Sequence, residues 1–202
     1  MNKKIVHDAM ILTAFTLVIG LILGMVYMIT KPRIDAANLE AAQKAYKEVF
    51  ETADSFEALA DFDKNEATDY IVSQGYTDSL DDVQVAKDAS GNTVGYVITV
   101  TAKDASQATI TFSVGIQNDG TVNGYSITDI AETPGLGMKA QDADFIAQFR
   151  NKLVDAFTVV KNPPASDSEI ESISGATITS KAIANGCNAA LVYFRDQLGG
   201  AQ

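Results

Sequence analysis

One cysteine and one histidine are all that 202 residues contain of the two side chains most used for metal binding and acid–base work. The lone cysteine, Cys187, excludes an intramolecular disulfide, an iron–sulfur cluster and a cysteine-based zinc site. It falls in an apolar helical pattern and reads as a small core residue. The lone histidine, His7, precedes a long apolar run. Histidine catalysis, a Ser-His triad and a histidine-ligated metal are thereby removed from everything downstream, and no metal site is assigned. Positive charge is scarce as well. Eleven of the 15 Lys and Arg but twenty-five of the 26 Asp and Glu lie beyond residue 34, a net charge of −14 there. Such a surface is repelled by nucleic acid and by an anionic leaflet, so nucleic-acid binding is set aside. The carboxylates show no paired-acid spacing above a solvated acidic surface; Asp81-Asp82 reads as a surface turn, and no catalytic residue is assigned.

Charge is absent altogether from Ala9 to Thr30, a run of 22 residues bounded by Asp8 and Lys31. As a helix this run reaches about 33 Å, against about 30 Å of bilayer hydrocarbon. It is too long for the apolar part of a signal peptide and no Ala-x-Ala site follows, so it is expected to be an uncleaved single-pass anchor. Lys3 and Lys4 before it and Lys31 and Arg33 after it give a near balance of flanking charge, tilted to a cytoplasmic N-terminus by the free amino group. Gly20 and Gly24 have the spacing of a close helix–helix contact.

Beyond Pro32, Leu39, Ala42, Tyr46, Val49 and Phe50 share one face of a helix expected from about residue 36 to 53. Residues 54–92 are acidic and weakly patterned. Asp61-x-Asp63-x-Asn65 begins like a calcium loop, but Glu66 stands where the turn glycine belongs and Val72 where the bidentate glutamate belongs, so that reading is rejected. Val94–Thr101, Ala108–Gln117 and Thr121–Thr128 are rich in β-branched residues, and Asn118-Asp119-Gly120 marks a turn, which predicts an antiparallel meander. Asp142 is the expected N-cap of a helix to Phe157 that buries Phe145, Phe149, Leu153 and Phe157. A last helix, from about Ser180 to Gln197, turns Ile183, Cys187, Ala190, Leu191 and Phe194 inward. The order helix, meander, helix, helix predicts an α+β fold.

Two motifs stand out in that frame. In Glu132-Thr133-Pro134-Gly135-Leu136-Gly137 the proline stiffens a turn, the glycines let backbone approach a flat group, and Leu136 is free to pack on it. Gly135-x-Gly137-x-x-Ala140 also imitates a dinucleotide fingerprint, but that requires a parallel βαβ unit which the meander excludes. In Ser174-Gly175-Ala176-Thr177-Ile178-Thr179-Ser180, the small residues keep the backbone uncrowded and Thr179 and Ser180 are expected as caps of the last helix. Thr177 is then expected just ahead of a helix N-terminus, where free N–H groups favour a phosphate. Ordinary capping chemistry accounts for this second motif taken alone.

Together, behind a single membrane span, the two motifs resemble the domain that carries FMN on a threonine through a phosphodiester. The match is to the G subunit of Rnf-type electron-transport complexes, with the C subunit of the sodium-translocating NADH:quinone reductase as a near relative. The family pattern of an acidic residue, two variable positions, Ser or Thr, then Gly-Ala-Thr reads here Glu171-Ser172-Ile173-Ser174-Gly175-Ala176-Thr177, with Glu171 in place of the usual Asp. Gly95-Tyr96, Gly115-Ile116, Asp119-Gly120 and Gln148-Phe149 also agree, so the resemblance covers 90–197 and the anchor. It implies covalent FMN on Thr177, with Ser174, Gly175, Ala176, Thr179, Ser180 and the loop Glu132, Thr133, Pro134, Gly135, Leu136, Gly137 around it.

The implied layout is a short segment 1–8, an anchor 9–30, a connecting helix 31–53 and an extracytoplasmic FMN-binding domain 54–202 with an antiparallel sheet and flanking helices. The implied function is electron transfer within a ferredoxin:NAD+ oxidoreductase coupled to Na+ or H+ translocation, not catalysis in isolation. The implied partners are other membrane and peripheral subunits, a flavin transferase for maturation, and the bilayer through residues 9–30. A quinone-reductase C subunit and a self-standing extracytoplasmic flavoprotein or sensor are the alternatives.

Overall fold

The computed structural model describes residues 3–199. Its first element, α1 (Lys3–Val49), is a helix of 47 residues that continues through Pro32, so the segments expected as anchor and connecting helix form one element. The chain divides into two compact units, 1–41 and 42–202. In the first, the large apolar side chains from Met10 to Ile29 all face outward, and the helix is long and apolar enough to cross a membrane.

The second unit is built on a five-stranded antiparallel sheet in the order β1 (Ser55–Ala58), β2 (Ser79–Lys87), β3 (Thr93–Ala102), β4 (Ile110–Gln117), β5 (Val122–Asp129). The predicted meander is β3–β5. Alternation along β3 and β4 sends Ile98, Val100, Ala102, Ile110, Phe112, Val114 and Ile116 to one face, all fully buried. Against that face packs α4 (Thr177–Gln197), which buries Ile183, Cys187, Ala190, Leu191 and Phe194. Each large side chain so buried is worth roughly 1.5–3 kcal/mol, which makes this layer the main source of stability. The opposite face takes the end of α1, where Tyr46, Val49 and Phe50 pack on Ala86 and Val97.

Gly95 seats that second layer. A Cβ there would lie 2.7 Å from Cζ of Phe50 and would also strike the carbonyl oxygen of Ile116. Gly95→Ala is therefore expected to destabilise the protein by about 1–3 kcal/mol, the usual range for overpacking a tight contact. A denaturant midpoint unchanged from wild type would refute this.

Residues 54–92, weakly patterned in sequence, hold α2 (Lys64–Ser73) besides β1 and β2, and its N-cap Asp63 accepts from the N–H groups of Asn65 (2.7 Å) and Glu66 (3.1 Å). Two sequence expectations are corrected. Asp81 and Asp82 lie within β2, not in a turn. Asp82 accepts from the hydroxyl of Tyr46 at 2.8 Å, and Asp81 pairs with Lys64 at 2.8 Å. A register shift between Leu80 and Asp82 breaks the period-2 pattern and hides the strand from periodicity. The helix expected over 142–157 is only α3 (Ala143–Ala147), preceded by a 3-10 turn at Gly137–Gln141. Asp142 holds its N-cap position but makes no side-chain cap bond. Lys152 instead exchanges backbone hydrogen bonds with Val122, and Asn151 turns the chain with φ 54°. Phe145, Phe149 and Phe157 are buried as expected, whereas Leu153 is exposed.

A small parallel pair, β6 (Thr158–Val160) and β7 (Glu169–Glu171), leads into α4. Asn188 of α4 holds its start by donating to the carbonyl of Phe157 (2.9 Å) and accepting its N–H (2.7 Å). Gln148 clamps its end, accepting the N–H of Glu171 at 2.7 Å and donating to the same residue's carbonyl at 3.3 Å.

Candidate functional site

Both motif loops are tight turns closed by a glycine of positive φ. In the first, the N–H of Leu136 donates to the carbonyl of Thr133 at 3.1 Å, with Pro134 second and Gly135 third in the turn at φ 77°. That is the pairing of residues a type II turn favours, since proline presets the first φ and only glycine adopts the second without strain. In the second loop the N–H of Ala176 donates to the carbonyl of Ile173 at 2.9 Å, again with a glycine third, Gly175 at φ 78°. The two turns face each other: a Cβ on Gly175 would lie 3.0 Å from Cδ2 of Leu136.

Glu132 ties the loops together. It is 6 % exposed. Its Oε1 accepts from the N–H groups of Ser106 (2.8 Å) and Gln107 (3.1 Å), and its Oε2 accepts from Oγ1 of Thr179 (3.3 Å). One carboxylate thus joins the β3–β4 loop to the first turn of α4. Gly137 leaves room for it, because a Cβ there would be 2.5 Å from Oε2 of Glu132 and 2.8 Å from Oγ1 of Thr179. Tyr125 anchors the following 3-10 turn by donating to the carbonyl of Ala140 at 2.6 Å.

Between the turns lies a groove of about 310 Å³. Glu132, Thr133, Leu136 and Gly137 form one side of its lining and Gly175, Ala176, Thr177 and Thr179 the other, with Ser106 and Ile178 completing it. Thr177 is the first residue of α4 and not ahead of it, because Ala176 occupies the cap position without a side-chain cap bond. Thr179 and Ser180, expected as caps, lie inside the first turn. Ser180 Oγ accepts the N–H of Ile173 (2.9 Å) and donates to the carbonyl of Ala176 (3.0 Å), bracing the turn from behind. Ser174, Pro134 and Gly135 shape the turns and do not line the groove. Ser106 and Ile178 were not singled out from sequence. Ser106 sits in an unpatterned polar loop, and only its placement by Glu132 brings it here.

The positive electrostatics of the groove come from backbone, while the one carboxylate in its lining, Glu132, is buried and engaged by Ser106, Gln107 and Thr179. The N–H groups of Thr177, Ile178 and Thr179 have no protein acceptor among the described residues, so the positive end of a 21-residue helix opens into it. The hydroxyl of Thr177 is half-buried and also without a hydrogen-bond partner among the described residues. Leu136 and Ile178 expose apolar surface beside it, 42 % and 58 %. A site with free N–H donors, an unengaged hydroxyl and two exposed apolar side chains fits a phosphate ester that carries a flat ring. A shallower cleft of about 480 Å³ on the outer side of the second turn is lined by Glu171, Ser172, Ile173 and Ser174, whereas clefts of about 610 and 500 Å³ elsewhere on the domain contain none of the motif residues.

These features define the class. Residues 106–192 match the family model of the FMN-binding domain, which takes in both motifs and the groove. Residues 1–49 match that of the RnfG N-terminal region. The chain is 31 % identical over 190 residues to the G subunit of the proton-translocating ferredoxin:NAD(+) oxidoreductase complex of Clostridium ljungdahlii, covering 94 % of this chain and 91 % of that one. It is 30 % identical over 196 residues to the G subunit of the Na(+)-translocating ferredoxin:NAD(+) oxidoreductase complex of Acetobacterium woodii, covering 96 % and 93 %. The chain belongs to the family of G subunits of ion-translocating oxidoreductase complexes. Its fold is that of the crystal structure of the C subunit of the Na(+)-translocating NADH-quinone reductase from Parabacteroides distasonis, with a TM-score of 0.53 at 19 % identity over 75 % of this chain and 81 % of that one. This is the α+β architecture expected, with an antiparallel sheet, flanking helices and an N-terminal helix long and apolar enough to cross a membrane.

Proposed function

We propose that this protein carries electrons within a membrane-bound ferredoxin:NAD+ oxidoreductase coupled to Na+ or H+ translocation, through FMN joined by a phosphodiester to Oγ1 of Thr177. The observation that carries the reading is the position of Thr177: its free hydroxyl stands at the open N-terminus of α4, within the groove that both motifs build. Bound FMN supplies one- and two-electron chemistry. The residues here hold and orient. The N–H groups of Thr177, Ile178 and Thr179 and the helix dipole stabilise the phosphate charge. Leu136 and Ile178, exposed in the groove lining, would hold the ring by apolar contact. Glu132 keeps the two walls in register.

No base touches Thr177 Oγ1 among the described residues, and an unassisted threonine hydroxyl is a weak nucleophile, so a separate flavin transferase makes the bond from a flavin nucleotide whose activated phosphate linkage breaks as the hydroxyl gives up its proton. The anchor places the N-terminus in the cytoplasm and the domain on the extracytoplasmic face, against other membrane and peripheral subunits. Identity of about 30 % along the whole chain to G subunits favours this reading over a quinone-reductase C subunit, where the likeness is one of fold.

The test uses protein purified from its native host. Flavin fluorescence is expected to survive on a denaturing gel, and mass spectrometry of the digest is expected to place one FMN on the peptide containing Thr177. Fluorescence lost on denaturation, or mapped to another residue, overturns the assignment.

A further inference from the structure

Behind the groove lies a polar cluster that neither motif includes. Asp78 immediately precedes β2 and is fully buried, yet neither of its carboxylate oxygens has a hydrogen-bond partner. Asp104 follows β3; its Oδ1 is likewise buried and unpartnered, while its Oδ2 accepts from Nδ2 of Asn185 on α4 at 2.8 Å. Ser79 pairs with Thr101 in the sheet, so the two aspartates leave adjacent strands at the same end. Three buried carboxylate oxygens that make no well-formed hydrogen bond, with only the N–H groups of Lys103 and of Asp78 itself nearby to Asp78, are costly when both groups are ionised, because each acceptor loses its water and the charges repel. A proton on Asp78 relieves both penalties, because it neutralises that carboxyl and ends its repulsion from Asp104.

We infer that Asp78, buried without a hydrogen-bond partner at the sheet end where Asp104 also lies, is a proton-binding group whose proton sets the loop that carries Ser106 of the cofactor groove. Burial and the charge of Asp104 raise the Asp78 carboxyl to about 7. The other groups around Asp78 do not compensate it fully. Lys103 favours the ionised form through its nearby N–H and its charge, but less than burial and Asp104 oppose it. Cys187 on α4 stays a neutral thiol, since burial pushes it far up, and Asn185 is neutral. Tyr76, in the loop before β2, is pushed up by burial and feels the Asp78 charge as well, so it too is neutral.

The link to the groove is a chain of bonds. The loop that holds Asp104 also holds Ser106 and Gln107, whose N–H groups donate to Glu132, and Glu132 in turn accepts from Thr179. Loss of the Asp78 proton places a buried charge opposite the loop that holds Asp104 and drives this loop away from β2. The site does not depend on flavin, so its test can fail while the FMN assignment stands.

The sign follows from linkage. The native carboxyl binds its proton more tightly than an ordinary aspartate at 3.8. The stabilisation it contributes is complete at acid pH and is lost as pH rises through about 7. Full-length protein in detergent is compared with Asp78→Asn across the neutral range. Infrared spectra of the wild type are expected to show a protonated-carboxyl band that disappears above neutral pH and is absent from the variant. Hydrogen exchange at Ser106 and Gln107 is expected to accelerate through neutrality by more than base catalysis alone in the wild type, and by base catalysis alone in Asp78→Asn. The melting temperature of the variant is expected to gain on wild type progressively as pH rises from about 4 to about 7, and to keep that margin above neutrality. Asp104→Asn, which removes the neighbouring charge and leaves Asp78, serves if the first variant does not fold; its infrared band is expected to be lost at a lower pH than in wild type. A band missing at every pH, or identical pH profiles in wild type and variant, overturns the inference.

Discussion

Thr177→Val is expected to yield a folded protein whose covalent flavin, measured by fluorescence after denaturation, falls to background. Valine keeps the β-branched shape and removes only the hydroxyl. That hydroxyl bonds to no protein group among the described residues and is half-buried, so its loss leaves no donor or acceptor stranded. Stability is expected to change by no more than about 0.5 kcal/mol, as for a surface substitution away from any packed or paired group. The two readouts therefore separate: flavin is lost while the melting temperature stays. A variant that retains flavin through denaturation places the attachment elsewhere. One that unfolds shows Thr177 to be a structural residue, which its present surroundings contradict.

The second large effect is expected at Glu132, where the loss falls on the structure itself. Glu132→Ala strands the N–H groups of Ser106 and Gln107 and the hydroxyl of Thr179, two of them donors to a carboxylate oxygen at 2.8 and 3.1 Å. Hydrogen bonds to a charged group are worth roughly 1.5–3 kcal/mol each, so a loss of about 3 kcal/mol is a conservative expectation. For a domain of this size that lowers the melting temperature by roughly 6–12 °C. Glu132→Gln keeps one acceptor oxygen and is expected to lose clearly less. Gly137→Ala attacks the same contact from the other side, since its Cβ would meet both Glu132 and Thr179 within 2.8 Å. All three are expected to lower flavin incorporation in proportion to the loss of order at the groove. Glu132→Ala melting within a degree or so of wild type would reduce Glu132 to a bystander, because removal of a satisfied buried acceptor is not neutral.

Much of this protein was legible from local pattern. The uncharged run from Ala9 to Thr30 announces a helix long and apolar enough to cross a membrane, because length and apolarity are read directly from the residues. Strands β3 to β5 show in their β-branched runs and the Asn-Asp-Gly turn, and the buried stripe of α4 shows in its three- and four-residue spacing. Both motifs could be found because turn chemistry is written in the residues that make it: Pro134 with Gly135, and Gly175 before a helix. Elements whose signals are interrupted were not legible. Strand β2 hides behind two consecutive aspartates at a register shift. The helix expected to Phe157 ends after Ala147 because Lys152 takes its hydrogen bonds from Val122, far away in sequence.

By itself, then, the sequence determined which segments are apolar, which turns are tight and which hydroxyl is a candidate acceptor, because those follow from neighbours along the chain. Only the tertiary structure decided that residues 132–137 and 175–179 share one groove, that Thr177 begins α4, and that the Glu132 carboxylate turns inward to Ser106, Gln107 and Thr179. It alone brings Asp78 and Asp104 to the same buried end of the sheet. Pairings of this kind are set by sheet register and by helix packing, which sum contacts over the whole domain and leave no signature in any short stretch.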